Sequence, residues 1–131
     1  MTTALGRDHP ASSRPRLWRI SERRTFAELR TTGRRCRRGP LTVTWLPLAA
    51  GAPVDPPRVA LAIGRSAGSA VVRNRIRRRL RAGLRELQLG HRLPPGAYLL
   101  SGGAALAQLP WVELVAALDS AVAGASSEGG R

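Results

Sequence analysis

Residues 69–89 read S-A-V-V-R-N-R-I-R-R-R-L-R-A-G-L-R-E-L-Q-L, with one Gly and no Pro. The length of this segment without a Pro predicts a helix over residues 69–89, the strongest helix of the chain. At 100° per residue, six residues of this segment fall within one stripe about 120° wide. The stripe consists of Val72, Ile76, Leu80, Gly83, Leu84 and Leu87. We therefore expect this face of the helix to pack on a core.

The arginines of the same helix avoid that stripe. Arg73 and Arg79 lie at its edges, where a long side chain can run along the protein and still reach solvent. The arginines on the opposite side are Arg75, Arg77, Arg78, Arg81 and Arg85. The helix is thus expected to present an arginine face to solvent.

Three shorter segments predict strands, because their apolar residues alternate with others or form short runs bounded by turn residues. They are Leu41–Leu46 (L-T-V-T-W-L), 58–63 (R-V-A-L-A-I) and 97–101 (A-Y-L-L-S). Two further helices are predicted, one from Ser21 with its C-terminal stop at Gly33 and one that starts at Pro110. The apolar face of the last helix comprises Trp111, Leu114, Val115, Leu118 and Val122. The order helix, strands, helix, strand, helix predicts an α/β or α+β two-layer sandwich, in which helices pack on a sheet.

The length of 131 residues favours a single domain. Residues 1–15 mix Thr, Ser, Gly and Pro without periodicity and predict a flexible tail, and residues 124–131 predict a second one, which leaves the domain at 16–123. No apolar run is long enough to cross a bilayer or to form a signal peptide. Cys36 is the lone cysteine, which fits a reducing compartment. We expect a soluble protein of the cytoplasm.

The formal net charge is +14, and all 22 basic residues are Arg. The charge is concentrated in two blocks, residues 14–38 and 65–92, each of which sums to +8. Residues 39–64 are neutral, and residues 93–130 carry three acids and no base. Two separated basic blocks favour a nucleic-acid partner over a merely solvated charged surface. The absence of Lys is typical of G+C-rich codon usage, although the planar guanidinium also suits phosphate and stacked bases.

Catalytic patterns are missing from the sequence. No pair of its eight acids has metal-ligand spacing with a His, and His9 and His91 lie in a predicted tail and turn. Cys36 lies in R-R-C-R-R, where cationic neighbours favour a reactive thiolate, or else it is a small inward residue on an extended segment. We favour the second interpretation and expect the protein alone to do no bond chemistry.

The most specific motif is G-S-A-V-V-R-N-R-I-R-R-R-L-R at residues 68–81. It resembles the RNR signature of the protein subunit of bacterial ribonuclease P, A-V-x-R-N-R-x-[KR]-R. The residues that match it position by position are Arg73, Asn74, Arg75, Arg77 and Arg78. The resemblance extends over about residues 16–122, and its other matches are Arg19, Ile20, Phe26, Gly33, R-V-A-L at 58–61 and P-P-G-A-Y-L-L at 94–100.

The resemblance implies a small mixed sheet with helices packed on it and a βαβ unit with a left-handed crossover, contrary to the usual rule. It also implies Mg²⁺-dependent endonucleolytic removal of the 5′ leader from precursor tRNA. In that family the RNA subunit carries the chemistry and binds most of the Mg²⁺, and the protein binds that RNA and the leader. Neither a membrane nor an obligatory protein partner is expected.

Site residues follow from the same resemblance. Those expected to bind the catalytic RNA are Arg65, Arg73, Asn74, Arg75, Arg77, Arg78 and Arg81. Those expected in a leader cleft between the first helix and the sheet are Phe26, Arg30, Thr42, Thr44 and Arg58. The family often has aromatic residues where Arg30 and Thr44 stand, so leader binding here is expected to depend more on charge. An aromatic ring beside arginine suits a leader of variable sequence, because every base has a stacking face.

Three other functions fit part of this pattern. A ribosomal or other structural RNA-binding protein would share the charge, size and fold type. A DNA-binding protein that reads the major groove would more often place its helix in a helix-turn-helix unit, whereas here predicted strands flank the arginine helix. A protein nuclease would need the carboxylate or metal-ligand set that the sequence lacks.

Overall fold

The structure, a computed structural model, describes residues 18–19, 23–47 and 57–127. Its strands are β1 (Trp18–Arg19), β2 (Arg34–Arg38), β3 (Leu41–Leu46), β4 (Arg58–Ala62) and β5 (Ala97–Gly102). Its α-helices are α1 (Arg23–Thr32), α2 (Ala70–Leu89) and α3 (Trp111–Ser126), and two 3₁₀ turns span Arg65–Ala67 and Ala104–Ala107. The predicted N-terminal tail and Ser21 lie outside the described residues, as does most of the predicted loop at 49–57.

The strands form one mixed sheet in the order β1-β4-β5-β3-β2. β1 and β4 are parallel, as are β4 and β5, whereas β5 with β3 and β3 with β2 are antiparallel. Helix α2 connects the parallel neighbours β4 and β5, so the predicted βαβ unit is present. The predicted class, a mixed sheet with helices packed on it, is confirmed.

One face of the sheet carries the main core, because side chains alternate along each strand. Val43 of β3, Val59 of β4 and Tyr98 of β5 point to this face and are buried. The helix residues that complete this core include Ile76, Leu80, Leu84, Leu114, Leu118 and Val122. Helices α2 and α3 therefore cover the same face, which we call the core face.

The opposite face is covered in part by α1. Leu29 of α1 is fully buried against Ala60 and Ala97, and Phe26 packs on the same small cluster. Gly33 ends the helix as predicted, with its N–H donating to the carbonyls of Glu28 and Leu29 at 3.2 Å. A Cβ at Gly33 would lie 2.6 Å from Thr44 Cγ2, so only glycine lets the chain pass this close to β3. We call this side of the sheet the α1 face.

Helix α2 has the predicted stripe almost unchanged. Ser69 is its N-cap, and the Ser69 hydroxyl accepts from the Val72 N–H at 3.3 Å. Of the six stripe residues, five are buried and Val72 is half-buried. At Gly83 the helix touches α3, because a Cβ there would overlap Leu118 Cδ1.

Two predictions for the C-terminal part need correction. The tail predicted at 124–131 begins too early, because α3 continues to Ser126, Ala125 is buried and Gly124 lies against Cys36 Sγ. The apolar pattern predicts Trp111 on the inward face of α3, but this residue is 38% exposed. Cys36 itself is the half-buried residue of an extended segment, as predicted.

Candidate RNA interface

The arginines of α2 form three groups around the helix. At 100° per residue, Arg73 and Arg77 lie on the flank nearest the end of β4, and Arg75 and Arg79 lie on the opposite flank. Between these flanks lies a crest formed by Asn74, Arg78, Arg81 and Arg85. Arg73 and Arg75 of the motif are thus about 160° apart and serve different sides of the helix.

Several of these arginines are tied to the protein itself. Arg77 donates to Asn74 Oδ1 at 2.9 Å and also to the Ile63 carbonyl, and Arg73 donates to the Gly68 carbonyl at 3.2 Å. Arg79 donates to the carbonyls of Leu106, in the second 3₁₀ turn, and of Leu109, just after it. Arg73, Arg77 and Arg79 are half-buried. These contacts fix the flanks of the helix, and the position of Arg79 at the edge of the apolar stripe is as predicted.

Other arginines of the helix have their guanidinium groups exposed. Arg75, Arg78 and Arg85 are exposed and have no hydrogen bond or ion pair to any described residue. The same holds for Arg65 in the turn that leads into α2, whereas Arg81 is half-buried and has an interaction within the protein. A carboxylate partner is seen elsewhere, where Arg92 pairs with Asp119 at 2.9 Å. The exposed arginines are therefore available to phosphates, whose affinity for such groups comes largely from counterion release.

The structure brings the predicted leader residues to the α1 face but exposes them unequally. Phe26, Thr42 and Arg58 are half-buried, and Arg30 is exposed. Thr44 is only 4% exposed because the end of α1 covers it at Gly33. Thr44 therefore supports α1 and offers almost no surface to a ligand, whereas Phe26 and Arg30 lie on α1 and Thr42 and Arg58 lie on the strands of this face.

An uncovered row of side chains crosses the sheet beside α1. Its members are register partners, Ala62 with Ser101, Ser101 with Thr42, and Thr42 with Arg37. Ala62 and Arg37 are exposed, and Ser101 and Thr42 are half-buried. The row lies at the end of β4 from which the chain enters the turn before α2. The open row ends at strand β2, which consists of four arginines and Cys36.

That strand, β2, contributes residues that the sequence did not assign to the site. Cys36 packs on the core face, so Arg35 and Arg37 point to the α1 face, beside Thr44 and Thr42. Arg34 and Arg38 point the other way. Arg34 stacks over Trp45 at 5.8 Å and donates to the Ser127 carbonyl, and Arg38 donates to Ser120 Oγ. The two-residue alternation of a strand, applied to R-R-C-R-R with Cys36 as the inward residue, would have indicated which arginines point to which face.

Two absences among the described residues bear on other functions. These residues bring no three His, Cys, Asp or Glu side chains together in a group that could hold a metal ion. Among the helices of the described segments, none has the length and apolar character to span a bilayer.

A model of the family described as Ribonuclease P matches residues 15–126. The chain belongs to this family. A relative from Synechococcus sp. (strain JA-2-3B'a(2-13)), named ribonuclease P protein component, is 43% identical over 83 residues. The alignment covers 63% of this chain and 61% of the relative, which is less than two thirds of the relative's length.

Solved structures of the family have the same fold. The RNase P protein from Staphylococcus aureus superposes with a TM-score of 0.67 at 17% identity, covering 83% of this chain and 95% of that chain. The RNase P protein from Thermotoga maritima gives a TM-score of 0.63 at 20% identity, covering 76% of this chain and 90% of that chain. At these identities the two likenesses support the fold, and the family match confirms the resemblance inferred from the RNR motif.

Proposed function

We propose that this chain is the protein component of a ribonuclease P holoenzyme. It binds the catalytic RNA subunit through α2 and the turn before it, and it binds the 5′ leader of precursor tRNA on the α1 face. In this assembly the leader is removed by endonucleolytic hydrolysis, which leaves the mature 5′ end of the tRNA. The compartment proposed for this reaction is the cytoplasm.

The observation that carries the proposal is the set of exposed arginines at the family's motif. Arg75 and Arg78 belong to R-N-R-I-R-R, are exposed, and have no partner among the described residues. Guanidinium groups fork onto phosphate oxygens with two parallel hydrogen bonds. A helix that leaves such groups unpaired on a protein of charge +14 is suited to binding a polyanion.

The chemistry is assigned to the RNA. The described residues contain no cluster suited to Mg²⁺, so the Mg²⁺ of the reaction is proposed to be bound mainly by the RNA subunit. His91, the one histidine among them, is exposed at a turn, and no hydrogen bond from its ring to a carboxylate is seen. The protein then contributes binding and orientation, which raise the rate by holding leader and catalytic RNA together.

The test is leader removal with and without the RNA subunit from the same genome, at modest Mg²⁺ concentration. The protein alone is expected to cleave no precursor tRNA, and the protein with RNA to cleave faster than the RNA alone. Robust cleavage by RNA-free protein would contradict the assignment of the chemistry.

A second experiment separates this function from structural RNA binding. The RNA that co-purifies with the native protein is expected to be one abundant structured species of a few hundred nucleotides. Recovery of ribosomal RNA in ribosomal particles would favour the ribosomal alternative.

A further inference from the structure

A cleft of about 530 Å³ lies between the exposed side of α2 and the start of α3. Its size falls within the range of small-ligand sites, about 300–1,000 Å³. The residues that line it are Val71, Arg75, Arg78, Arg79, Ala82 and Trp111. Three of the six are arginines and none is acidic, so the cleft attracts an anionic ligand.

The α2 side of the cleft is one straight stripe. Residues 71, 75, 78 and 82 are spaced i, i+4, i+7 and i+11, which places them within about 60° of arc. Val71 is 76% exposed, whereas Arg75 and Arg78 are exposed and unpartnered in the described part of the chain. An apolar end and two free guanidinium groups therefore share one surface.

The opposite wall is the Trp111 ring, which is fixed at one edge and 38% exposed. Its Cη2 lies 3.9 Å from the position of a Cβ at Gly83, so this edge of the ring rests on α2. Arg79 holds the segment before Trp111, because it donates to the Leu106 and Leu109 carbonyls. The ring is thus preorganised, and ordering it on binding costs little conformational entropy.

The chemical class of the ligand follows from two properties of the cleft together, its positive charge and its exposed apolar side chains. An exposed tryptophan and valine among arginines favour a partner with a flat apolar body that also carries negative charge. A nucleotide has both, since its base stacks on an aromatic ring and its phosphates pair with arginine. The base must be unpaired, because only an unstacked base exposes a face to the ring.

We propose that this cleft binds one unpaired nucleotide of the catalytic RNA, with the base on Trp111 and the flanking phosphates on Arg75 and Arg78. This inference rests on the proposed function and adds to it a base contact beside the phosphate contacts of the RNR motif.

The test compares Trp111→Ala with Val112→Ala in binding to the RNA subunit transcribed from the same genome. Val112 is 78% exposed, neighbours Trp111 and does not line the cleft, so it is the matched control. Trp111→Ala is expected to weaken binding about 5- to 100-fold, with an unchanged slope of log K against log salt because no charge is lost. Arg78→Ala is expected to reduce that slope by about one unit.

Heparin, a polyanion without bases, distinguishes stacking from loss of structure. Arg78→Ala is expected to weaken heparin binding, and Trp111→Ala to leave it unchanged. Trp111→Leu keeps apolar contact with α2 and removes the aromatic face, so it is expected to weaken RNA binding while the melting temperature stays close to that of the wild type.

Three outcomes overturn the inference. They are RNA affinity of Trp111→Ala equal to that of Val112→Ala, full affinity in Trp111→Leu, and an equal loss of heparin and RNA binding in Trp111→Ala. If the wild-type protein itself fails to bind the RNA subunit, the proposed function fails and this inference fails with it. Loss of binding in Arg78→Ala together with wild-type binding in Trp111→Ala is a case of the first outcome, and it overturns the inference but leaves the proposed function standing.

Discussion

Tyr98 is the only tyrosine of the chain, and its side chain is fully buried under the helices of the core face. Its hydroxyl donates to the Pro94 carbonyl, which joins β5 to the turn that precedes it. Burial raises the pKa of Tyr98 well above its usual value, because the phenolate would lose its hydration. A buried neutral phenol therefore contributes stability that depends on pH.

We predict that the free energy of unfolding falls as the pH rises above about 10. The unfolded state ionises Tyr98 near its ordinary pKa of about 10, while the folded state keeps the proton, so the unfolded state binds fewer protons in this range. Above pH 10 the free energy of unfolding is expected to fall by up to about 1.4 kcal/mol per pH unit. Below pH 10 the stabilisation by neutral Tyr98 is fully present.

Denaturant unfolding between pH 8 and pH 11, with tyrosinate absorbance followed in parallel, measures this loss. Tyr98→Phe is the control, because it removes the titrating group and should flatten the profile while lowering stability by about 1 kcal/mol for the lost hydrogen bond. A profile of the same steepness in Tyr98→Phe would assign the effect to other groups.

At the scale of the helix, the apolar stripe of α2 was predictable and the separate roles of its arginines were not. The stripe depends on the 3.6-residue period, which is local and visible in residues 69–89. The role of Arg79 depends on two carbonyls, of Leu106 and Leu109, that the fold brings to it from about thirty residues away along the chain. No spacing rule contains that information, since it arises only when the turn after β5 packs against α2.

Arg78 and Arg79 are adjacent, and we predict that their substitution changes different properties, RNA binding for Arg78 and stability for Arg79. Arg79→Ala leaves the Leu106 and Leu109 carbonyls without their donor and should lower the stability by about 1–3 kcal/mol. Arg78→Ala should leave the stability within about 0.5 kcal/mol of the wild type and weaken RNA binding. Thermal unfolding and RNA titration of both variants test this. Equal melting temperatures would show that the contacts of Arg79 do not stabilise the fold.

The sequence predicted β2 only as an extended segment around Cys36, because R-R-C-R-R has no apolar alternation that would indicate a paired strand. Its stability comes from pairing with β3 over five residues and from the core-face side chains of Cys36 and Arg38, which contact α3. The charge count located arginines in residues 14–38 but could not divide them between two faces. That division depends on the register, which follows from the turn at Gly39 and Pro40.

Neighbouring residues of β2 are therefore predicted to act differently. Arg35 points to the α1 face, so Arg35→Ala should weaken binding of precursor tRNA to the holoenzyme and leave mature tRNA unaffected. Arg34→Ala is the matched control on the other face. It removes the contacts with Trp45 and Ser127, and should lower stability by about 1 kcal/mol without discriminating between the two RNAs. Equal losses for precursor and mature tRNA in Arg35→Ala would remove this residue from the leader site.

For the whole molecule, the sheet separates two basic surfaces. The exposed arginines of α2 lie on the core-face side of the sheet, whereas α1 and the open row lie on the opposite face. The core-face side chains of three strands and the helix stripe fill the space between them. Under the proposed function each surface faces a different RNA, and the apolar layer between the two surfaces fixes the relative positions of these RNAs.

This separation predicts that the proposed leader site and the proposed RNA-subunit site are energetically independent. Phe26→Ala should weaken the holoenzyme's binding of precursor tRNA only, by about 1–3 kcal/mol if the ring stacks on a base. Phe26→Leu retains most of the packing on Ala60 and Ala97 and controls for loss of structure.

The double variant Phe26→Ala with Arg78→Ala tests the independence directly. Its two free-energy losses in assembly of the complete complex should add within about 0.5 kcal/mol, as for residues that share no partner. Trp111→Ala with Arg78→Ala should instead deviate from additivity, because both contact the same nucleotide. Coupling between Phe26 and Arg78 of more than about 1 kcal/mol would mean that the sheet transmits strain from one RNA to the other, and that its two faces act as one site.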